Sequence, residues 1–191
     1  MKPSPDSIQP DTSTSQEQSD LKLLNGRYRT VKLLGRGGMG AVYFAVDLGA
    51  NERPVALKRV RKDKLDRRTL STLRSEFLAL ATLAHPNVIR AYEFGIDYES
   101  GDLYFTSELV DGITWMKAAQ RLRLATPSGF ESFVDLTAQV LRGLEFIHSR
   151  GLVHSDIKPE NILVASIPCG DGSEGGELQV KIIDFGLVKK E

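Results

Sequence analysis

The chain has 191 residues, with 25 basic and 25 acidic side chains and a formal net charge of zero, so its charge balance gives no pull towards nucleic acid or an anionic membrane surface. No apolar run approaches the roughly 18 residues of a membrane-spanning helix, and the N-terminus lacks the apolar core of a signal peptide. The single cysteine, Cys169, excludes an intrachain disulfide and fits a reducing, cytoplasmic setting.

Residues 1–20 are Ser, Thr, Pro, Gln and Asp in the main, with Ile8 the one large apolar residue after Met1. They cannot bury enough apolar surface to offset their ordering entropy. Residues 1–25 therefore read as a disordered tail. From Tyr28 the composition changes. Arg29 to Leu34, Ala41 to Val46 and Val55 to Val60 are β-branched and aromatic, with glycines between the first two, and predict three antiparallel strands. Leu70, Leu73, Phe77, Leu80 and Ala84 recur at steps of 3, 4, 3 and 4 and predict a helix, ended by His85-Pro86-Asn87. Strands follow near Val88 to Phe94 and Leu103 to Leu109. Trp115, Met116, Ala119 and Leu122 suit a short helix. Phe133, Leu136, Val140, Leu144 and Ile147 suit a longer one, stopped at Gly151. Ile162 to Val164 and Val180 to Ile183 read as short strands around a Gly-rich surface loop, 169–177. The expected architecture is α+β in two lobes: five antiparallel strands with one helix over 26–110, then a helical part with a small hairpin over 111–191, joined near Glu108 to Gly112.

Three segments carry chemistry. Gly35-Arg36-Gly37-Gly38-Met39-Gly40-Ala41-Val42 fits G-x-G-x-x-G-x-V. Glycines let backbone N–H groups approach phosphate oxygens. The same spacing marks dinucleotide folds, but there a helix follows, whereas here Val42 to Val46 is strand material. In Val55-Ala56-Leu57-Lys58 a lysine sits among apolar strand residues and needs anionic partners. Phosphate oxygens would serve, and so would Glu76, 18 residues on. Taken alone, Lys58 reads better as a strand-edge lysine with its head in water, and Glu76 as an ordinary solvated helix residue.

The third segment is His154-Ser155-Asp156-Ile157-Lys158-Pro159-Glu160-Asn161, with Asp184-Phe185-Gly186 beyond it. Phosphoryl transfer needs a carboxylate to orient the attacking hydroxyl and take its proton, which suits Asp156. Lys158 can neutralise the transferring group. Asn161 and Asp184 offer a neutral and an anionic oxygen, enough protein ligands for Mg²⁺. His154 is assigned to scaffolding, and His85 and His148 to packing or surface.

In this order the motifs resemble those of the eukaryotic-like (Hanks-type) serine/threonine protein kinases, and the Gly-Gly-Met-Gly loop resembles that of bacterial members. The match runs from about Tyr28 to the last residue. The resemblance implies ATP and Mg²⁺ as cofactors and a protein substrate with Ser or Thr. It implies that Gly35, Gly37, Gly40 and Val42 cover the phosphates, Lys58 holds them and pairs with Glu76, and Ala56 lines the adenine site. Glu108 and Val110 would meet adenine through the backbone of the hinge, with Ser107 as a small gatekeeper. Asp156 would be the base, and Asn161 and Asp184 the metal ligands.

Two departures from the family pattern carry expectations. Where the family has His-Arg-Asp, this chain has His154-Ser155-Asp156. Serine offers no bidentate cation to an activation-loop phosphate, so activity should not depend on phosphorylating that loop. The chain also reaches only Glu191, five residues past Gly186. The helical lobe is thus expected to be incomplete, with an apolar face around Phe133 to Ile147 left for a partner or a longer parent chain. The alternatives to an enzyme are a truncated ATP- or partner-binding module and a gene fragment without function.

Overall fold

The structure, a computed structural model, describes residues 23–37, 40–65, 67–167, 176–183 and 189–190; the side chains of residues 67–69, 72, 76, 79 and 189–190 lie outside that description. Its first lobe is a six-stranded antiparallel sheet in the order β1-β2-β3-β4-β6-β5, formed by Leu23–Leu24, Tyr28–Gly37, Gly40–Asp47, Arg53–Val60, Leu103–Glu108 and Ala91–Ile96 respectively. Helix α1, Arg67–Ala81, packs on it.

The sheet has one strand more than expected. Leu23–Leu24 is too short to carry a periodic signal, and it corrects the expected tail, 1–25, at its C-terminal end. Leu24 is buried in the core of the sheet. An Asn25-Gly26 turn at φ 50° and 67° returns the chain into β2, a dipeptide that favours tight hairpins because both residues tolerate positive φ. The Asn25 amide then reaches across to the far strand. Its Nδ2 donates to Ile96 O at 2.8 Å and its Oδ1 accepts from Tyr98 N at 3.0 Å, so the curled sheet is clasped end to end.

Alternation decides what the sheet buries. Tyr43, Ala45, Val55, Leu57 and Tyr104 point into the curl and form its core with Leu24 and Tyr28. A charged cluster lies beside that core. Asp47, fully buried, receives Arg27 Nε at 2.7 Å, Arg27 Nη2 at 3.0 Å and Gly49 N at 3.0 Å, with Arg53 Nη2 at 3.3 Å. Arg27 also pairs with Glu93 of β5 at 2.5 Å.

The second lobe opens with β7, Gly112–Thr114, followed by α2, Trp115–Arg121, and α3, Pro127–Ser149. Helix α3 starts six residues earlier than its apolar spacing marked. Thr126 caps it by accepting from Gly129 N, and Pro127 occupies the first turn, where its missing N–H costs nothing. After β8, Leu152–Val153, come β9, Ile162–Ile167, and β10, Glu177–Ile182, which pair antiparallel with β7 on the outer side of β9. A last strand, β11, Lys189–Lys190, pairs with β8. Three α-helices stand among the described residues, two of them in this lobe.

Helix α1 ends at Ala81, not Ala84, and β5 begins at Ala91, not Val88. Val88 and Ile89 are used elsewhere: Ile89 N donates to Ile182 O and Ile182 N to Asn87 O, both at 2.9 Å, stitching the 87–89 segment to β10. Asn87 Nδ2 also donates to Gln139 Oε1 and Val180 O, and Gln139 Oε1 accepts from Val180 N. Buried polar groups with such complete partners fix one arrangement of the three elements. His85 stacks on Phe146 nearby, and burial lowers its pKa.

The face around Phe133 to Ile147 is not the uncovered one. Leu136 and Ile147 are buried, because α2 and β10 close over that side. The exposed apolar side chains of α3 are Phe130, Val134 and Leu141, on its other side, at 58%, 50% and 60% of full exposure.

Candidate active site

Strand register brings the first group of candidates onto one face. Val42 of β3 lies opposite Lys58 of β4, Ala56 opposite Ser107 of β6, and Lys58 opposite Phe105. All face away from the buried core, and Val42, Ala56, Lys58 and Ser107 are half-buried. Helix α1 shares this face through Phe77, whose ring lies 5.6 Å from that of Phe94, the cross-strand neighbour of Phe105. Lys58 Nζ lies 5.4 Å from the Phe105 ring. The lysine is thus on the side where the Glu76 helix packs, while the Glu76 side chain lies outside the described residues.

The glycines separate into two kinds. A Cβ on Gly40 would stand 1.9 Å from Arg59 O, so the close approach of β3 and β4 itself demands glycine there. A Cβ on Gly35 or Gly37 would meet nothing within 4 Å, and neither has a positive φ. The fold gives no reason for glycine at those two positions. They alternate onto the face of Val42 and Lys58, and Gly35 pairs with Val42, so what they leave open is room above that face. Gly40→Ala should lower the melting temperature by several degrees. Gly37→Ala should leave it within about 1 °C and weaken nucleotide binding, as thermal melts with and without Mg-ATP would show. Gly38 and Met39 lie outside the described residues.

The catalytic turn is built from short-range bonds. Lys158 Nζ donates to Asp156 Oδ2 at 2.7 Å. Asn161 Nδ2 donates to the same oxygen at 2.8 Å and to Asp156 O at 2.9 Å. With its nitrogen used in this way, Asn161 has its amide oxygen as the atom to offer a cation, and the group suits Mg²⁺. The Lys158 hydrogen bond, followed by that of Asn161, holds the Asp156 carboxyl below the usual carboxylate range. Both bonds fall on Oδ2, so Oδ1 can accept a hydroxyl.

Below this turn lies His154, 1% exposed. Its Nδ1 accepts from Asp156 N at 3.3 Å, and its Nε2 meets Ile183 O at 3.2 Å. The first bond makes Nδ1 the acceptor, so the proton belongs on Nε2, where it donates to Ile183. Ile183 N in turn donates to Asn161 O at 2.8 Å. The imidazole is a brace between the turn and the end of β10, in keeping with a scaffolding role. Asp184 and the two residues after it lie outside the described residues.

Ser155 is the strained member. Its φ is 62°, and Asp156 N donates to His154 O at 2.9 Å across it, a γ-turn of the rare positive-φ kind. Such strain persists where surrounding bonds enforce it; here those are the His154 and Asn161 bonds to Asp156.

Glu108 and Val110 stand at the joint of the lobes. Glu108 N donates to Arg90 O at 2.9 Å, and Val110 packs its side chain on the core between the lobes. Sequence reasoning missed Asn87, Gln139, Lys181 and the turn at Ser155. Each acts through partners 39 to 93 positions away or through backbone strain, and no local pattern announces such contacts.

The protein kinase domain model matches residues 28–191. The chain is 33% identical over 169 residues to a protein named probable serine/threonine-protein kinase PknB of Lactococcus lactis, covering 88% of this chain and 25% of that protein. It is 35% identical over 174 residues to serine/threonine-protein kinase PknD of Chlamydia muridarum, covering 85% and 17%. It is 36% identical over 169 residues to a probable serine/threonine-protein kinase of Streptomyces coelicolor, covering 87% and 23%. The chain spans a quarter or less of the length of these relatives. With its sheet-and-helix first lobe, its turn around Asp156 and this match over most of its length, the chain belongs to the protein kinase domain family.

Proposed function

We propose that this chain binds Mg-ATP between its lobes and transfers the terminal phosphoryl group to a serine or threonine hydroxyl of a protein. The observation that carries the reading is the turn in which Lys158 and Asn161 converge on the one carboxylate of Asp156. Gly35, Gly37, Gly40 and Val42 would cover the phosphates, Lys58 would hold them, with Glu76 as its partner, and Ala56, Glu108 and Val110 would bound the adenine. Asn161 and Asp184 would hold Mg²⁺, which supplies charge neutralisation at the phosphates. Asp156 orients the hydroxyl and takes its proton, the hydroxyl oxygen bonds to the γ-phosphorus as the bond to the bridging oxygen breaks and ADP leaves, and Lys158 balances the charge. A carboxylate of depressed pKa is a weak base. It therefore acts chiefly as an orienting acceptor and collects the proton late, as a loose transition state allows.

Mg-ATP at 100 times its dissociation constant should stabilise the folded protein by about 2.7 kcal/mol. A thermal melt of folded protein that does not move with Mg-ATP would remove the nucleotide site. Because Ser155 offers no cation to a phosphate, phosphatase treatment should leave transfer to a generic protein substrate unchanged; a large loss would show dependence on a phosphorylated loop. The exposed Phe130, Val134 and Leu141 support a covering partner or further chain. A cytoplasmic location is supported by the single cysteine and the need for ATP. No helix among the described residues is long and apolar enough to cross a membrane.

A further inference from the structure

The end of β10 is held residue by residue. Val180 N bonds to Gln139 of α3, Ile182 to Asn87 and Ile89, and Ile183 to Asn161 of the catalytic turn. Between them, Lys181 reaches out with its side chain. Its Nζ lies 2.5 Å from Glu108 Oε1, and the two side chains are 14% and 22% exposed. Oε1 is buried, and among the described residues no donor meets it at a hydrogen-bonding angle, so the contact is charge against charge. An ammonium so nearly enclosed needs an anion, and Glu108 is the anion in contact with it.

Glu108 is the last residue of β6. Beyond it the chain crosses to the second lobe. The backbone bonds at Ile182 fix the 87–89 segment, which leads to Glu108 through Arg90 O. The Lys181 ammonium is the direct tie between Glu108 and the strand that braces the catalytic turn.

We propose that Lys181 is a positioning residue for the nucleotide: by holding Glu108 from the second lobe, it sets where the backbone of 108–110 meets adenine. This rests on the reading that the hinge takes adenine. Geometry is the reason the tie matters, since a misplacement of about 1 Å can cost up to about a hundredfold where groups must align. The phosphate end of the site, on Gly35, Gly37 and Lys58, sits at the register of Val42 and Phe105, three residues along β6 from Glu108, and should not feel the loss of the pair.

The test is calorimetric titration of the protein with Mg-ATP, adenosine and Mg-tripolyphosphate. Lys181→Met should weaken Mg-ATP and adenosine about tenfold each, which is about 1.4 kcal/mol, and leave tripolyphosphate within about twofold. Lys181→Arg, and the exchanged pair Lys181→Glu with Glu108→Lys, should recover most of the loss. If Lys181→Met does not fold, Lys181→Gln carries the same comparison. Equal weakening of all three ligands would reduce the pair to general stability, and unchanged or tighter adenosine binding would overturn the proposal. A wild-type protein that binds tripolyphosphate but not adenosine would instead sink the hinge reading itself, and the proposal with it.

Discussion

Asp156→Asn should lower phosphate transfer by about 10²- to 10⁴-fold, the range in which a positioned acid or base contributes, and should leave the thermal shift with Mg-ATP in place. Asparagine keeps the shape and can still accept from Asn161. It loses the charge that Lys158 pairs with and the ability to take a proton. The wild-type carboxyl is ionised across the neutral range, because the Lys158 hydrogen bond holds its pKa below the usual value. Its titration should therefore put no acid limb on the rate above about pH 4. Labelled-phosphate transfer measured between pH 5 and 8 checks both points. A variant as active as the wild type would take Asp156 out of the chemistry, and loss of the thermal shift would make it a binding residue.

Arg27→Met should have the largest effect on stability. Asp47 is fully buried, and Arg27 supplies two of its bonds. Without the guanidinium, the carboxylate keeps only the Gly49 amide and Arg53 at 3.3 Å. Removing one partner of a buried pair costs about 3–5 kcal/mol. Arg27 is 39% exposed and Arg53 remains, so the lower end, about 3 kcal/mol, is expected. That is a fall in melting temperature of about 6–12 °C for a protein of this size.

The same cluster should appear in the pH dependence. The Arg27 hydrogen bond depresses the Asp47 pKa in the folded state. Its contribution is therefore complete above the unfolded value, about pH 4, and is lost as pH falls through the depressed folded value. Unfolding by denaturant at pH 7 and pH 3 should show the wild type losing more stability than Arg27→Met. An equal loss in both would mean that the pair carries no linkage.

The site was legible in the sequence where function confines residue type and spacing to a few consecutive positions. The glycine run, Lys58 in its apolar strand and the turn from His154 to Asn161 are of this kind. The register then placed Val42, Ala56 and Lys58 on one face, which alternation alone could not choose, because both faces carry apolar residues. Strand and helix ends were less legible. Val88 and Ile89 look like the start of β5, yet their backbone is committed to Ile182, a partner more than 90 positions away. Leu23–Leu24 has too few residues for a pattern, although Asn25-Gly26 beside it is a hairpin signal in its own right. Thr126-Pro127 likewise marks the start of α3 better than the apolar spacing does. The exposed side of α3 was misjudged because the hairpin of β9 and β10 folds back over the side that periodicity left open.

The Asn25 clasp has a consequence for how this lobe behaves beside other molecules. An open sheet ends in a row of backbone groups that can recruit a strand from a neighbour, the usual route to swapped or aggregated forms. Here one margin is only two residues long, and at the other Ile96 O and Tyr98 N are already taken by a side chain. An incoming strand would have to evict Asn25 before pairing there, so a single amide guards the margin of the lobe against recruitment.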